Sequence, residues 1–141
     1  MDNKTSSGHR PALQYVGPIS LALLVIDFLL FASGGIAHLG IPIPLGFTTW
    51  SETFLVPAVV VEGVGALALG TALISLGAGM ARSRQLAWWA LWYCFADVLW
   101  GMTRLAIGSI PVAHTMSNDF LHIAMTLVTT LALVCIASSR G

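Results

Sequence analysis

The sequence predicts an all-α integral membrane protein, a four-helix bundle running up-down-up-down. Three observations carry that expectation. The 141 residues are 57% hydrophobic and only 9% charged, with a mean hydropathy of +0.87, whereas a soluble domain is about a quarter charged. Four apolar runs are each long enough to cross a hydrocarbon core about 30 Å thick at about 1.5 Å per residue. The segments between them are short, which makes neighbouring helices antiparallel.

Residues 1–17 are expected to be a disordered cytoplasmic tail, because polar residues dominate from Asp2 to Pro11. The transmembrane domain then occupies 18–139. Its first span, 18–39, opens at Pro18, whose fixed φ and missing N–H suit a first helical turn. The run is too long for the core of a signal peptide and is read as a retained span. Pro42 and Pro44 break the helix, and Trp50 is expected to anchor the loop 40–53 at the membrane interface. Ser51 or Thr53 is expected to cap the second span, 54–79. In that span Gly63, Gly70 and Gly77 recur every seven positions, a spacing that lets a neighbouring helix approach closely.

Ser83 is the expected cap of the third span, 86–108, and Trp88, Trp89 and Trp92 form an aromatic belt at its start. A turn through Pro111 leads to the fourth span, 119–138, capped by Ser117, with Asp119 at the positive end of that helix. Lys4, Arg10, Arg82, Arg84 and Arg140 all fall on one side of this topology, and the other two loops lack Lys and Arg. The positive-inside rule therefore places both termini in the cytoplasm, with the chain in a cell or organelle membrane.

Each span also carries polar residues, in a medium where a central charge costs about 2.5–3.5 kcal/mol. Asp27, Phe31, Gly34 and His38 share one face of the first helix, stepping four, three, four. Glu62 lies beside Gly65 and Ala66 on the second. On the third, Asp97, Gly101, Arg104 and Gly108 share a face, and on the fourth Asp119, His122, Thr126 and Thr129 do. Counted from the outer ends of the spans, Asp27 and Asp97 lie about 17–18 Å deep, Glu62 about 12 Å, Arg104 about 6 Å, and His38 and His122 within about 5 Å. The pattern predicts a pocket in the outer half of the membrane, with an acidic floor and a basic rim.

Three carboxyls, Asp27, Glu62 and Asp97, share one Arg104 at membrane depth. One guanidinium can bridge two carboxylates, so the third acid is expected to be neutral, paired with a histidine, or holding a cation. In the pocket, Arg104 would hold a polar head group, Glu62 and Asp97 would orient it, and Trp100 would stack on it. His38, Asp119 and His122 would complete the rim. The bland alternative makes Asp97, Arg104 and Glu62 a structural ion-pair network.

Cofactors are not expected, beyond the alternative that His38 and His122 ligate a haem. The spacing holds no H-x-x-x-H or E-x-x-H pattern for a metal. Cys94 and Cys135 stand apart, which argues against thiol redox chemistry. Zero net charge and the lack of a basic patch argue against nucleic acid. The expected partners are the lipid bilayer, a small lipophilic molecule, and a membrane partner subunit or a second copy of the chain.

Two segments resemble the DoxX-like family of small four-helix membrane proteins. One is Glu62-Gly63-Val64-Gly65-Ala66-Leu67-Ala68-Leu69-Gly70, similar to an acid-then-glycine helix of that family. The other is Gly34-Gly35-Ile36-Ala37-His38-Leu39, where His38 stands at a basic position. The resemblance implies a small membrane subunit, in some cases associated with quinone or redox systems.

Composition and resemblance together lead to the expectation of a protein that binds a lipophilic or quinone-like ligand, or a partner subunit. An alternative is a membrane-embedded acid–base enzyme, an isomerase or cyclase. There Asp27 or Asp97 would protonate an isoprenoid or sterol-like substrate. A further alternative is proton or cation passage through Asp27, Glu62 and Asp97.

Overall fold

The computed structural model describes residues 16–46, 49–108 and 116–139, the side chains of 116 and 117 excepted. The tail up to 15, the turn through Pro111, the Ser117 cap, and Lys4, Arg10 and Arg140 lie outside the described residues. Four helices dominate the rest. They are α1 (Pro18–Ala37), α2 (Val56–Gly77), α3 (Ser83–Ala106) and α4 (Met116–Ser138). Between α1 and α2, β1 (Ile43–Pro44) pairs antiparallel with β2 (Thr49–Trp50).

Of these helices, α1, α2 and the 118–138 part of α4 are long and apolar enough to cross a bilayer. Helix α3 is as long as the others but is more polar, carrying Arg84, Asp97 and Arg104.

Each helix packs on two others, α1 on α2, α2 on α3, α3 on α4 and α4 on α1. The core they enclose holds Leu24 and Phe31 of α1, Leu69 and Ala72 of α2, Leu91 and Cys94 of α3, and Met125 and Ile136 of α4. On the outside, large apolar side chains stand exposed along all four helices, among them Leu29, Leu67, Ile74, Trp89, Phe120 and Leu127. In water such a surface would be an aggregation hazard. Against lipid it is the expected exterior.

Helix ends depart from expectation in two places. No side chain caps α2. Its N-cap is Leu55 in extended conformation, and Pro57 occupies the first turn, where its missing N–H costs nothing. Ser83 is the first residue of α3, and is buried; the cap is Arg82, with a left-handed φ of 66°. The tight α2–α3 connection imposes that conformation, and the neighbouring Arg84 guanidinium donates across to the Ile136 carbonyl of α4.

Trp50 also differs from expectation. It is only 3% exposed, and its indole N–H donates to Glu52 Oε1 at 2.6 Å, so it anchors the loop inward. An indole buried in protein needs a partner for its N–H, and Glu52 supplies one.

The glycines of α2 divide in an unexpected way. A methyl group at Gly63 or Gly77 would meet nothing within 4 Å. At Gly70 it would come 3.2 Å from Phe28. The tightest position is Gly65, outside the seven-residue repeat, where three helices meet. Gly63 serves through its backbone instead, because a Cβ at Gly35 of α1 would lie 3.7 Å from its nitrogen.

Hydroxyls inside the helices are turned on their own backbone. Thr71, Thr103, Thr126, Thr130 and Ser138 each donate to the carbonyl four residues earlier, at 2.7–2.8 Å; the Thr129 hydroxyl lies as near the Met125 carbonyl, at 2.8 Å, but its single proton has a second acceptor in Asp27.

Candidate binding cavity

Geometry of the cavity follows from the helix faces. The end of α1, the start of α2, the end of α3 and the start of α4 surround a cavity of about 430 Å³. Its apolar wall is Leu55, Pro57, Ala58, Val61, Val98 and Leu105. Its polar lining is His38, Glu62, Asp97, Arg104, Asn118 and His122, with Trp100 and Gly101 completing the α3 side. This size and mixture suit a small organic molecule, since ligand pockets of about 300–1,000 Å³ are mostly apolar with a few placed polar groups.

Six of the eight residues singled out from the sequence therefore line one space: His38, Glu62, Asp97, Trp100, Arg104 and His122. Helical periodicity accounts for the third helix, where Asp97, Gly101 and Arg104 share a face. Asp119 sits in the first turn of α4 but does not line the cavity; its neighbour Asn118 does. The signal for Asn118 was its position four residues before His122, on the same helical face.

Asp27 is placed elsewhere. It is fully buried between α1 and α4, outside the cavity, and accepts a hydrogen bond from the Thr129 hydroxyl at 2.8 Å. Its other oxygen has no hydrogen-bond partner among the described residues.

His38 and Glu62 form the α1–α2 side of the lining. His38 Nε2 is 3.5 Å from Glu62 Oε1, and Nδ1 is 3.4 Å from the Thr53 carbonyl. An imidazole between a carbonyl and a carboxylate satisfies both only when each nitrogen carries a proton. His38 follows the last residue of α1, outside the span. Burial pushes its pKa down, but the hydrogen bond and charge of Glu62, the Thr53 carbonyl and the charge of Glu52 outweigh burial and hold it above 6.5. The second Glu62 oxygen rests on Gly34, where a Cβ would come within 2.5 Å of it. It too is buried without a hydrogen-bond partner among the described residues.

A pH dependence follows. The raised His38 pKa contributes stability that is fully present below 6.5 and is lost as pH rises through the folded-state value. The thermal midpoint of the wild type should fall over that window relative to His38→Gln. Parallel pH profiles of the two proteins would contradict the charged His38–Glu62 pair.

On the α3 side, Arg104 Cζ lies 5.6 Å from the centre of the Trp100 ring, within cation–π range. Trp100 lines the cavity with its side chain 63% exposed, and its ring carries the guanidinium. Asp97 is half-buried and makes no hydrogen bond or ion pair among the described residues. Opposite, His122 Nδ1 is 2.9 Å from the Asn118 carbonyl. A carbonyl only accepts, so Nδ1 is the protonated nitrogen and in the neutral ring Nε2 is an acceptor. That Nε2 lies 4.0 Å from where a Cβ on Gly101 would stand.

For a haem held by His38 and His122, the donor set is poor. Both nitrogens of His38 already face acceptors, so ligation would have to break its contact with Glu62 or Thr53.

The two segments that carry the DoxX-like resemblance meet here, at Gly34 and Glu62. Compared with protein-family models, curated proteins and solved structures, the chain matches none.

Proposed function

We propose that this chain is a small multi-pass membrane protein that binds a lipophilic, amphiphilic molecule in the cavity at one end of its bundle. In this reading all four helices span the bilayer up-down-up-down, α3 being tolerated because its polar residues line the cavity. Both termini lie in the cytoplasm, so the cavity occupies the outer half of a cell or organelle membrane. What supports the topology is the contact order. Gly35 meets Gly63 while Phe28 meets Gly70, and Met102 meets Thr126 while Arg84 meets Ile136. In both helix pairs one number rises as the other falls.

The observation that carries the binding reading is the lining itself. Apolar side chains of α2 and α3 share the lining of a space of about 430 Å³ with Glu62, Asp97, Arg104 and His122. A bundle that needed only stability would fill that volume with side chains. Packing of the Gly34–Leu39 segment against the Glu62–Gly70 segment is compatible with a DoxX-like membrane subunit.

Native mass spectrometry of the full chain, released from its own membrane in mild detergent, tests the proposal. The wild type should carry a lipophilic adduct. Gly101→Leu should carry none and still fold, because a side chain there enters the cavity without striking backbone. Failure to find an adduct on the wild type, or an adduct kept unchanged by Gly101→Leu, would overturn it.

A second reading uses the same cavity for acid–base chemistry on an isoprenoid or sterol-like substrate. Asp97 favours it, as a carboxyl on the cavity wall with no protein partner among the described residues. Turnover of a polyene or epoxide by the wild type, lost in Asp97→Asn with the adduct retained, would select this reading over binding alone.

A further inference from the structure

The chemistry of the head group follows from which polar atoms in the lining already have partners. Glu62 is committed, with one oxygen on His38 and the other sealed over Gly34. His38 is committed between Glu62 and Thr53. Arg104 has the Trp100 ring beside it. Among the acceptors that face the cavity are the Asp97 carboxylate and His122 Nε2, with the buried Asn118 Oδ1 in the same lining. Asp97 and His122 come from facing helices. Nε2 lies across from Gly101, and Gly101 is one helical turn from Asp97 on the same face of α3.

Acceptors on both sides of a gap call for a donor between them. A carboxylate head group would meet Asp97 as a like charge. An ammonium would meet the Arg104 guanidinium and the doubly bonded His38 in the same lining. A neutral hydroxyl avoids both and donates to either acceptor. We propose that the cavity selects an amphiphile with a hydroxyl head, positioned by Asp97 and His122. The inference rests on the binding reading above and names the class of ligand.

The test measures binding of four probes that share one tail, farnesol, farnesyl methyl ether, farnesylamine and farnesoic acid. The protein is the full chain in phosphatidylcholine nanodiscs, and the readout is the ligand-dependent shift in thermal midpoint at matched probe concentrations. A hydrogen bond to a charged acceptor is worth about 1.5–3 kcal/mol, so farnesol should bind roughly tenfold or more tightly than its methyl ether. The amine and the acid should both be weaker than the alcohol. Asp97→Leu and His122→Phe should each bring the alcohol-to-ether ratio towards one while leaving ether binding in place. Either variant suffices if the other does not fold.

Equal binding of alcohol and ether to the wild type would overturn the head-group assignment and leave the cavity as a lipophilic site. So would a preference that survives both substitutions, or the amine or acid binding best. Binding of none of the four would count against the binding reading itself.

Discussion

Gly65→Leu is expected to prevent the helices from assembling. A Cβ at this position would lie 2.7 Å from Phe31 Cδ1, 3.1 Å from Cε1 and 3.2 Å from Cys94 Sγ. Neither neighbour can yield easily, since Phe31 and Cys94 are both fully buried. The collision is with α1 and α3 at once, so moving α2 away from one drives it against the other. Overpacking a tight core costs about 1–3 kcal/mol, occasionally more, and leucine adds three further carbons beyond the first clash. Gly65→Ala should already lower the thermal midpoint.

Gly63→Ala is the matching control. It sits two residues away in the same helix, with nothing within 4 Å of the new methyl. Alanine is a better helix former than glycine by about 1 kcal/mol, so that variant should be unchanged or slightly more stable. Side-by-side thermal unfolding in detergent reads the pair. Equal loss at both positions would mean that α2 tolerates no substitution for general reasons, and the three-helix junction would lose its special role.

Thr129→Val is expected to destabilise the protein through Asp27. The Thr129 hydroxyl is the only hydrogen-bond donor to Asp27 among the described residues, and Asp27 is fully buried. Valine keeps the shape of threonine and removes the donor. Leaving a buried polar group unsatisfied costs about 1–3 kcal/mol, more for a charged one. The double variant Asp27→Leu with Thr129→Val replaces both partners by apolar groups and should recover much of that loss, since apolar replacement of a buried pair is often neutral or stabilising. If the double variant is as damaged as the single one, Asp27 has a role beyond its bond to Thr129.

The length of the apolar runs made the helices legible. Expected spans at 18–39, 54–79, 86–108 and 119–138 compare with helices at Pro18–Ala37, Val56–Gly77, Ser83–Ala106 and Met116–Ser138. Prolines and glycines mark those ends clearly, because both act on the backbone directly. Helix caps were less legible, since Ser51, Thr53 and Ser83 have the right chemistry but the loop geometry uses Leu55 and Arg82 instead.

The same division runs through the cavity. A helical step of three or four puts Asp97, Gly101 and Arg104 on one wall, and helix ends at similar depth bring His38, Glu62 and His122 near them. Depth along a helix says nothing about rotation around it. Asp27 and Asp97 were expected at the same level, yet Asp27 turns towards Thr129 and Asp97 towards the cavity. The pairings made by the loop, Trp50 with Glu52 two residues on and His38 with Thr53 fifteen residues on, depend on how a short irregular segment folds back, which no periodicity encodes.

The hydroxyls that donate to their own helix have a consequence for how this chain meets its solvent. A threonine facing hydrocarbon would otherwise present an unsatisfied O–H to a medium that can accept nothing. Thr71, Thr103 and Thr130 are exposed on the bundle surface, and each has its proton already spent on a carbonyl one turn back. In a bilayer such a residue turns no unsatisfied O–H on the acyl chains. Read residue by residue, the chain looks more polar than the surface it shows to lipid.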